Sequence, residues 1–282
     1  MNKFLSIAAL AIFSTAATAD ITVFGSVEQA YQKTGDVADV VSGDTNIGFK
    51  SIEIIDAATK AYAQIKLNVD SEGNNATTTD EAYVGLTLNS LDIRGGKMPN
   101  IRKIASDATI DVFEGSSIAM QNSGSLANTV QINLDLGSVQ LAGGLTADGV
   151  NGQQTRDGYE LAANANLDNV NVYAVLTKDE VNNIESKIVA GTLNTELVTV
   201  GGSFEAVDTA GVEVDTWNAV ASVDVNNNTL IVGMQDIENG ADTKTIEIVH
   251  NFTPKTRAYI NMQDVSTSSD DVWQTGDRKS VV

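Results

Sequence analysis

Residues 58–70, ATKAYAQIKLNVD, decide how the chain folds. Thr59, Ala61, Ala63, Ile65, Leu67 and Val69 fall on one side, and Lys60, Tyr62, Gln64, Lys66, Asn68 and Asp70 on the other. Successive side chains of a strand point to opposite faces, so this alternation is a strand with one apolar face and one wet face. A helix would repeat its apolar residues every three or four positions, and this stretch does not.

The same period runs outward in both directions. Upstream, Ile21, Val23, Gly25, Val27 and Tyr31 share a face, and Ile47 and Phe49 oppose Asn46, Gly48 and Lys50. Downstream, Ala82, Val84, Leu86 and Leu88 share a face, and Val130, Ile132, Leu134 and Leu136 oppose Gln131, Asn133 and Asp135. Similar segments continue to the end, giving about fifteen strands and the start of another. Their links alternate. Links of two or three residues (Asn89-Ser90, Gly137-Ser138, Asp168-Asn169) take turns with longer polar stretches, such as those expected at Thr34 to Asp44 and at residues 206–214. Soluble sandwiches do not usually alternate this way, whereas membrane barrels have short turns at one end and long loops at the other.

Composition agrees. Met1-Asn2-Lys3, an apolar run from Phe4 to Phe13, and small residues at Ala17 and Ala19 before Asp20 predict a secretory signal peptide over residues 1–19. No later segment is apolar for long enough to be a transmembrane helix. Cysteine is absent and only Pro99 and Pro254 occur, which suits a chain of paired strands. Setting Lys3 aside with the signal peptide leaves 16 basic residues against 37 acidic ones, a net charge of −21. That balance excludes nucleic acid as a partner and suits a cavity that attracts cations. One face rich in Ala, Val, Ile and Leu and another of Asn, Gln, Thr, Lys and Asp fit lipid outside and water inside. Closure satisfies every strand edge. The fold class read from the sequence is therefore all-β, a transmembrane antiparallel barrel of about 16 strands spanning residues 20–282.

One stretch breaks the period. Leu91 to Gly124 starts basic (Arg94, Lys97, Arg102, Lys103) and turns acidic (Asp107, Asp111, Glu114). A long irregular insert among regular hairpins is usually functional or disordered, and this one is read as functional. It follows the fifth strand and is expected to fold into the lumen, with a constriction loop at about residues 99–125.

At these residues the chain resembles the general, trimeric porins of Gram-negative outer membranes. ADITVFGSVEQAY is similar to the family's first strand, NIGFKSIE to its second, TKAYAQIKLN to its third, and TPKTRAYINM to a late segment. DEAYVGLTLNSLDIRGGK, with A-Y-V-G-L followed by R-x-G-K, is the most specific piece. The resemblance implies a sixteen-stranded barrel in outer-membrane lipid, usually a homotrimer, passing small hydrophilic solutes by passive diffusion; the net acidity adds a preference for cations, and no cofactors are expected. It implies a transverse field, with Lys50, Arg94 and Lys97 on the wall and Asp107, Asp111 and Glu114 in the loop. Lys97 has the wrong parity beside Arg94, and a bulge at Gly95-Gly96 would turn it inward. The chain departs from the family in its 5% aromatic content and in ending at Val282. The final strand is expected to be cut off by several residues, which puts closure against the first strand at risk.

An enzyme and a soluble β protein are the two alternatives. His250 is the only histidine, so a metal cluster of histidines and a nucleophile with a histidine base are not built, and no enzyme is expected. A secreted, soluble, acidic β-rich adhesin or surface-layer protein fits the many Asn and Asp residues, with Asp70-Ser71-Glu72-Gly73-Asn74 as a loop able to hold a divalent cation.

Overall fold

The computed structural model describes residues 20–69, 77–115, 118–121, 124–147, 157–266 and 272–281. The expected signal peptide and the acidic stretch 70–74 lie outside them. Strands are β1 (Asp20–Thr34), β2 (Val37–Ser42), β3 (Asn46–Ile54), β4 (Thr59–Asn68), β5 (Thr78–Leu88), β6 (Leu91–Pro99), β7 (Ser125–Asp135), β8 (Val139–Thr146), β9 (Gly158–Leu167), β10 (Val170–Asp179), β11 (Ile184–Asn194), β12 (Val198–Thr209), β13 (Val212–Val225), β14 (Asn228–Ile237), β15 (Thr243–Thr253), β16 (Thr256–Val265) and β17 (Val272–Val281); one short helix, α1 (Ile101–Asp107), follows β6.

Each strand pairs antiparallel with its neighbours, and β1 with β3 to β17 close a ring of sixteen. β2 stands outside the ring and pairs only with β1. Gln29 pairs with Ser42 and Ser26 with Asn46, so Gly43, Asp44 and Thr45 oppose only Val27 and Glu28. β2 thus continues β3 across a bulge with one extra residue. The expected loop from Thr34 to Asp44 is mostly this strand, turned at Gly35 in the left-handed region (φ 57°). The loop expected at residues 206–214 is also strand. Ala210 (φ 55°) and Gly211 (φ 90°) make a two-residue turn whose positive φ values match the twist of a hairpin.

The last strand does close the ring. β17 pairs with β1 from Gly25 to Thr34 and with β16 from Thr256 to Gln263. The risk expected for closure is not met, because Val272 onward is already in register with both neighbours.

The ring is apolar outside and polar inside. On β7, Val130 and Ile132 are 52% and 47% exposed while Gln131 between them is 0% exposed. In water this would be inverted; against hydrocarbon it is what burial requires. No described helix is long and apolar enough to cross a membrane. Trp217, Trp273 and Phe252 point outward, with Trp217 packed on Phe204 at 4.5 Å between ring centroids.

Candidate functional site: the constriction

β6 ends at an irregularity. Its register against β7 slips by one residue between Gly96 and Met98, and Gly96 has φ 138°. Pro99 then stops the strand, and Asn100 caps α1 by accepting the Lys103 N–H on its side-chain oxygen at 2.6 Å. Ile101 and Ala105, one turn apart, turn a buried face to β8, β9 and β10. The chain then crosses the lumen, and Ile110, Phe113, Ile118 and Met120 pack on wall residues Val175, Ile188, Val220, Ile231 and Val249. This cluster is the only place where the inner wall is apolar over several strands among the described residues. Wall glycines let the loop approach. A Cβ on Gly201 would lie 2.1 Å from the Thr109 carbonyl oxygen.

Three wall glutamates hold the loop by its backbone. Glu160 on β9 accepts the Ile101 N–H at 2.8 Å. Glu205 on β12 accepts the Gln121 N–H at 2.8 Å. Glu247 on β15 accepts the N–H groups of Glu114 and Gly115 at 2.9 and 2.8 Å. Bonds to an ionised acceptor are about twice as strong as neutral ones. Arg102 is part of this anchoring. It lies 3.5 Å from Glu205 and donates to Thr177, Ser186 and the Gln121 carbonyl, each at 2.6 Å.

Lys103 pairs with Asp107 at 3.0 Å. Asp111, in the loop rather than in a spanning strand, is pushed up to about 6 by burial and by the neighbouring Asp107 carboxylate, against the pull of Lys103. Asp111 forms no ion pair among the described residues. Glu114 sits between Arg257 (2.8 Å) and Arg278 (3.2 Å). On the opposite wall Arg94 donates to Asp92 at 2.9 Å, and Asp92 also accepts from Tyr62 and Thr87. Lys66 pairs with Asp80 at 3.0 Å, and Gln64 donates to Glu81 at 2.6 Å. A void of about 340 Å³ opens beside Asp44, Asn46, Gln64, Lys66, Glu81 and Arg278.

The sequence matches the model of a Gram-negative porin over residues 6–270. The chain belongs to that family. No curated protein matches it. Among solved structures, in-vitro folded OmpT of Vibrio cholerae in its trimer form is similar at a TM-score of 0.76 and 12% identity, over 93% of this chain and 99% of that one. OmpF of Salmonella typhi, in complex with daunomycin, is similar at 0.75 and 13%, over 93% and 97%. A mutant of the Rh. blastica porin is similar at 0.74 and 16%, over 93% and 100%. At these identities the likeness is one of fold. Family and barrel together place the porin in the Gram-negative outer membrane as a channel.

The porin's charges meet in other combinations than the sequence suggested. Lys50 stands on the inner wall opposite Gln64, and Arg94 is there too, already matched by Asp92. Lys97 stays opposite Ala82, in the row of the outward-facing Val84, and its ammonium donates to the Thr79 carbonyl. The register slip against β7 falls at Lys97 itself, with the extra residue on β7, and does not bring Lys97 beside Arg94. Asp107 and Asp111 share one side of the loop, while Glu114 is drawn to the seam. Sequence reasoning missed the anchors Glu160, Glu205 and Glu247 and the arginines Arg257 and Arg278. A signal existed for the anchors: each is a lone carboxylate in a polar row that is otherwise uncharged nearby.

Proposed function

We propose that the porin is a passive, non-enzymatic channel for small hydrophilic solutes and ions with a preference for cations, assembled as a homotrimer. The observation that carries the preference is how the charges are matched. Arg94, Lys66, Arg257 and Arg278 each face a carboxylate partner. Asp111 remains without a cation of its own on the loop, beside an Asp107 shared with Lys103. Opposed charges in a narrow wet pore filter solutes by sign and size; the inner-wall Lys50, opposite Gln64, is a cation without a paired carboxylate among the described residues, and the negative surplus comes from a chain with 37 acidic against 17 basic residues. The trimer form of the structurally similar OmpT supports the assembly. Residues 1–19 serve export, and the loop at about residues 99–125 sets the bore. A planar bilayer carrying the purified porin tests this: stepwise currents with a cation-selective reversal potential are expected. An anion-selective reversal potential overturns the preference, and absence of steps overturns the channel. A soluble adhesin would leave the membrane pellet without detergent.

A further inference from the structure

Three charged residues line up across the strands that close the ring. Arg278 on β17 stands opposite Glu28 on β1 and opposite Arg257 on β16. Like charges directly opposite on neighbouring strands repel. The countercharge comes from the loop: one oxygen of Glu114 lies 2.8 Å from Arg257 and the other 3.2 Å from Arg278. The second arm of the Arg278 fork reaches Asp44, in the bulge between β2 and β3, at 2.8 Å. Glu28 completes the row. Its carboxylate accepts the Asp44 N–H at 3.1 Å and the hydroxyl of the buried Tyr259 at 2.9 Å. A planar guanidinium with fixed donors bridges two carboxylates in a way a lysine cannot.

We infer that Arg278 is a positioning and selectivity residue of this channel: it fastens the loop at Glu114 to the closing seam and shares its single charge between Glu114 and Asp44, which with Arg278 lines the void. The inference rests on the channel reading above. Without Arg278, Glu114 keeps only Arg257, and Asp44 faces water uncompensated. The pore then becomes more cation-selective and its loop less steady.

The test is a cycle of four channels in planar bilayers: the parent, Arg278→Gln, Glu114→Gln and the double variant. Arg278→Gln is expected to raise the cation-over-anion permeability ratio, by up to about five-fold for a unit charge about 4 Å from a permeating ion in water. It is also expected to widen open-channel current noise. In the Glu114→Gln background the same change is expected to act about equally on selectivity, since one positive charge is lost in either case, and not at all on noise, because the loop contact is already gone. Equal effects on noise in both backgrounds, or no change in selectivity in either, overturn the assignment. Heat-shifted migration in detergent gels reports which variants form barrels. Should Arg278→Gln fail to fold, Arg278→Lys keeps the charge and loses the fork; near-parental selectivity with raised noise is expected, and parental noise overturns the assignment. A parent that does not conduct fails the channel reading itself, whereas a conducting parent whose variants are additive in noise fails only the role of Arg278.

Discussion

The two halves of the inner wall use their charges differently. On the side covered by the loop, β9 to β17, Glu160, Glu205, Glu247, Arg257 and Arg278 all bond to the loop. On the uncovered side, β3 to β7, Asp92, Arg94, Lys66 and Asp80 bond to one another within the wall. The first set holds an object in place. The second lines water. Both sets look alike in sequence, single charges in alternating strands, and only the partner separates them. Charge type at a wall position is therefore a poor guide to pore electrostatics until the loop's seat is known.

The largest effect is expected from breaking an anchor. Glu247 is 0% exposed and takes two loop N–H groups and the Asn261 amide. Glu247→Ala leaves those donors unpaired and is expected to weaken loop seating by about 3 kcal/mol. Single-channel conductance should rise. Asp92→Asn, the equivalent loss of one charge on the uncovered wall, should leave the loop seated and conductance near parental. Equal conductance changes in the two would erase the distinction between the walls.

A smaller effect is expected from steric contact alone. Gly201→Ala drives a methyl into the Thr109 carbonyl and is expected to cost about 1–3 kcal/mol. Gly95, across the barrel on β6, has nothing nearer to its Cβ position than the Thr129 carbonyl oxygen at 4.0 Å, so Gly95→Ala should be silent in the same assay. Limited proteolysis of the loop in folded barrels is the readout.

The smallest effect is a titration. Because Asp111 is pushed up to about 6, it is neutral below that pH and negative above it. Cation preference should rise with pH through about 6 and fall as the medium is acidified. Asp111→Asn should flatten the curve in that window. A reversal potential that is constant between about pH 5 and 7 in the parent would show that Asp111 does not face the ion path.

The ring was legible because a barrel in lipid writes itself into every second residue, as Val130, Gln131 and Ile132 do. The loop was legible as an absence of that period. The α1 helix was not, since a single turn-pair of Ile101 and Ala105 behind Asn100 is too short to stand out. Nor was the turn at Ala210-Gly211, which lacks the Asn-Gly or Asp-Gly signature of tight hairpins. The partners of Glu114 were out of reach for a different reason. Arg278 is 164 residues away, and ring closure rather than any local pattern brings it alongside.

That separation in sequence also sets an order of assembly. The loop is made early but its seats are late: Glu114 reaches Glu247 across 133 residues, and Tyr259 reaches Glu28 across 231. Contacts of such high contact order form slowly, after the intervening chain has been organised. The Ile101 end of the loop meets its seat, Glu160 on β9, only 59 residues on, whereas the Glu114 end waits for β15 to β17, so that end of the bore takes its shape last.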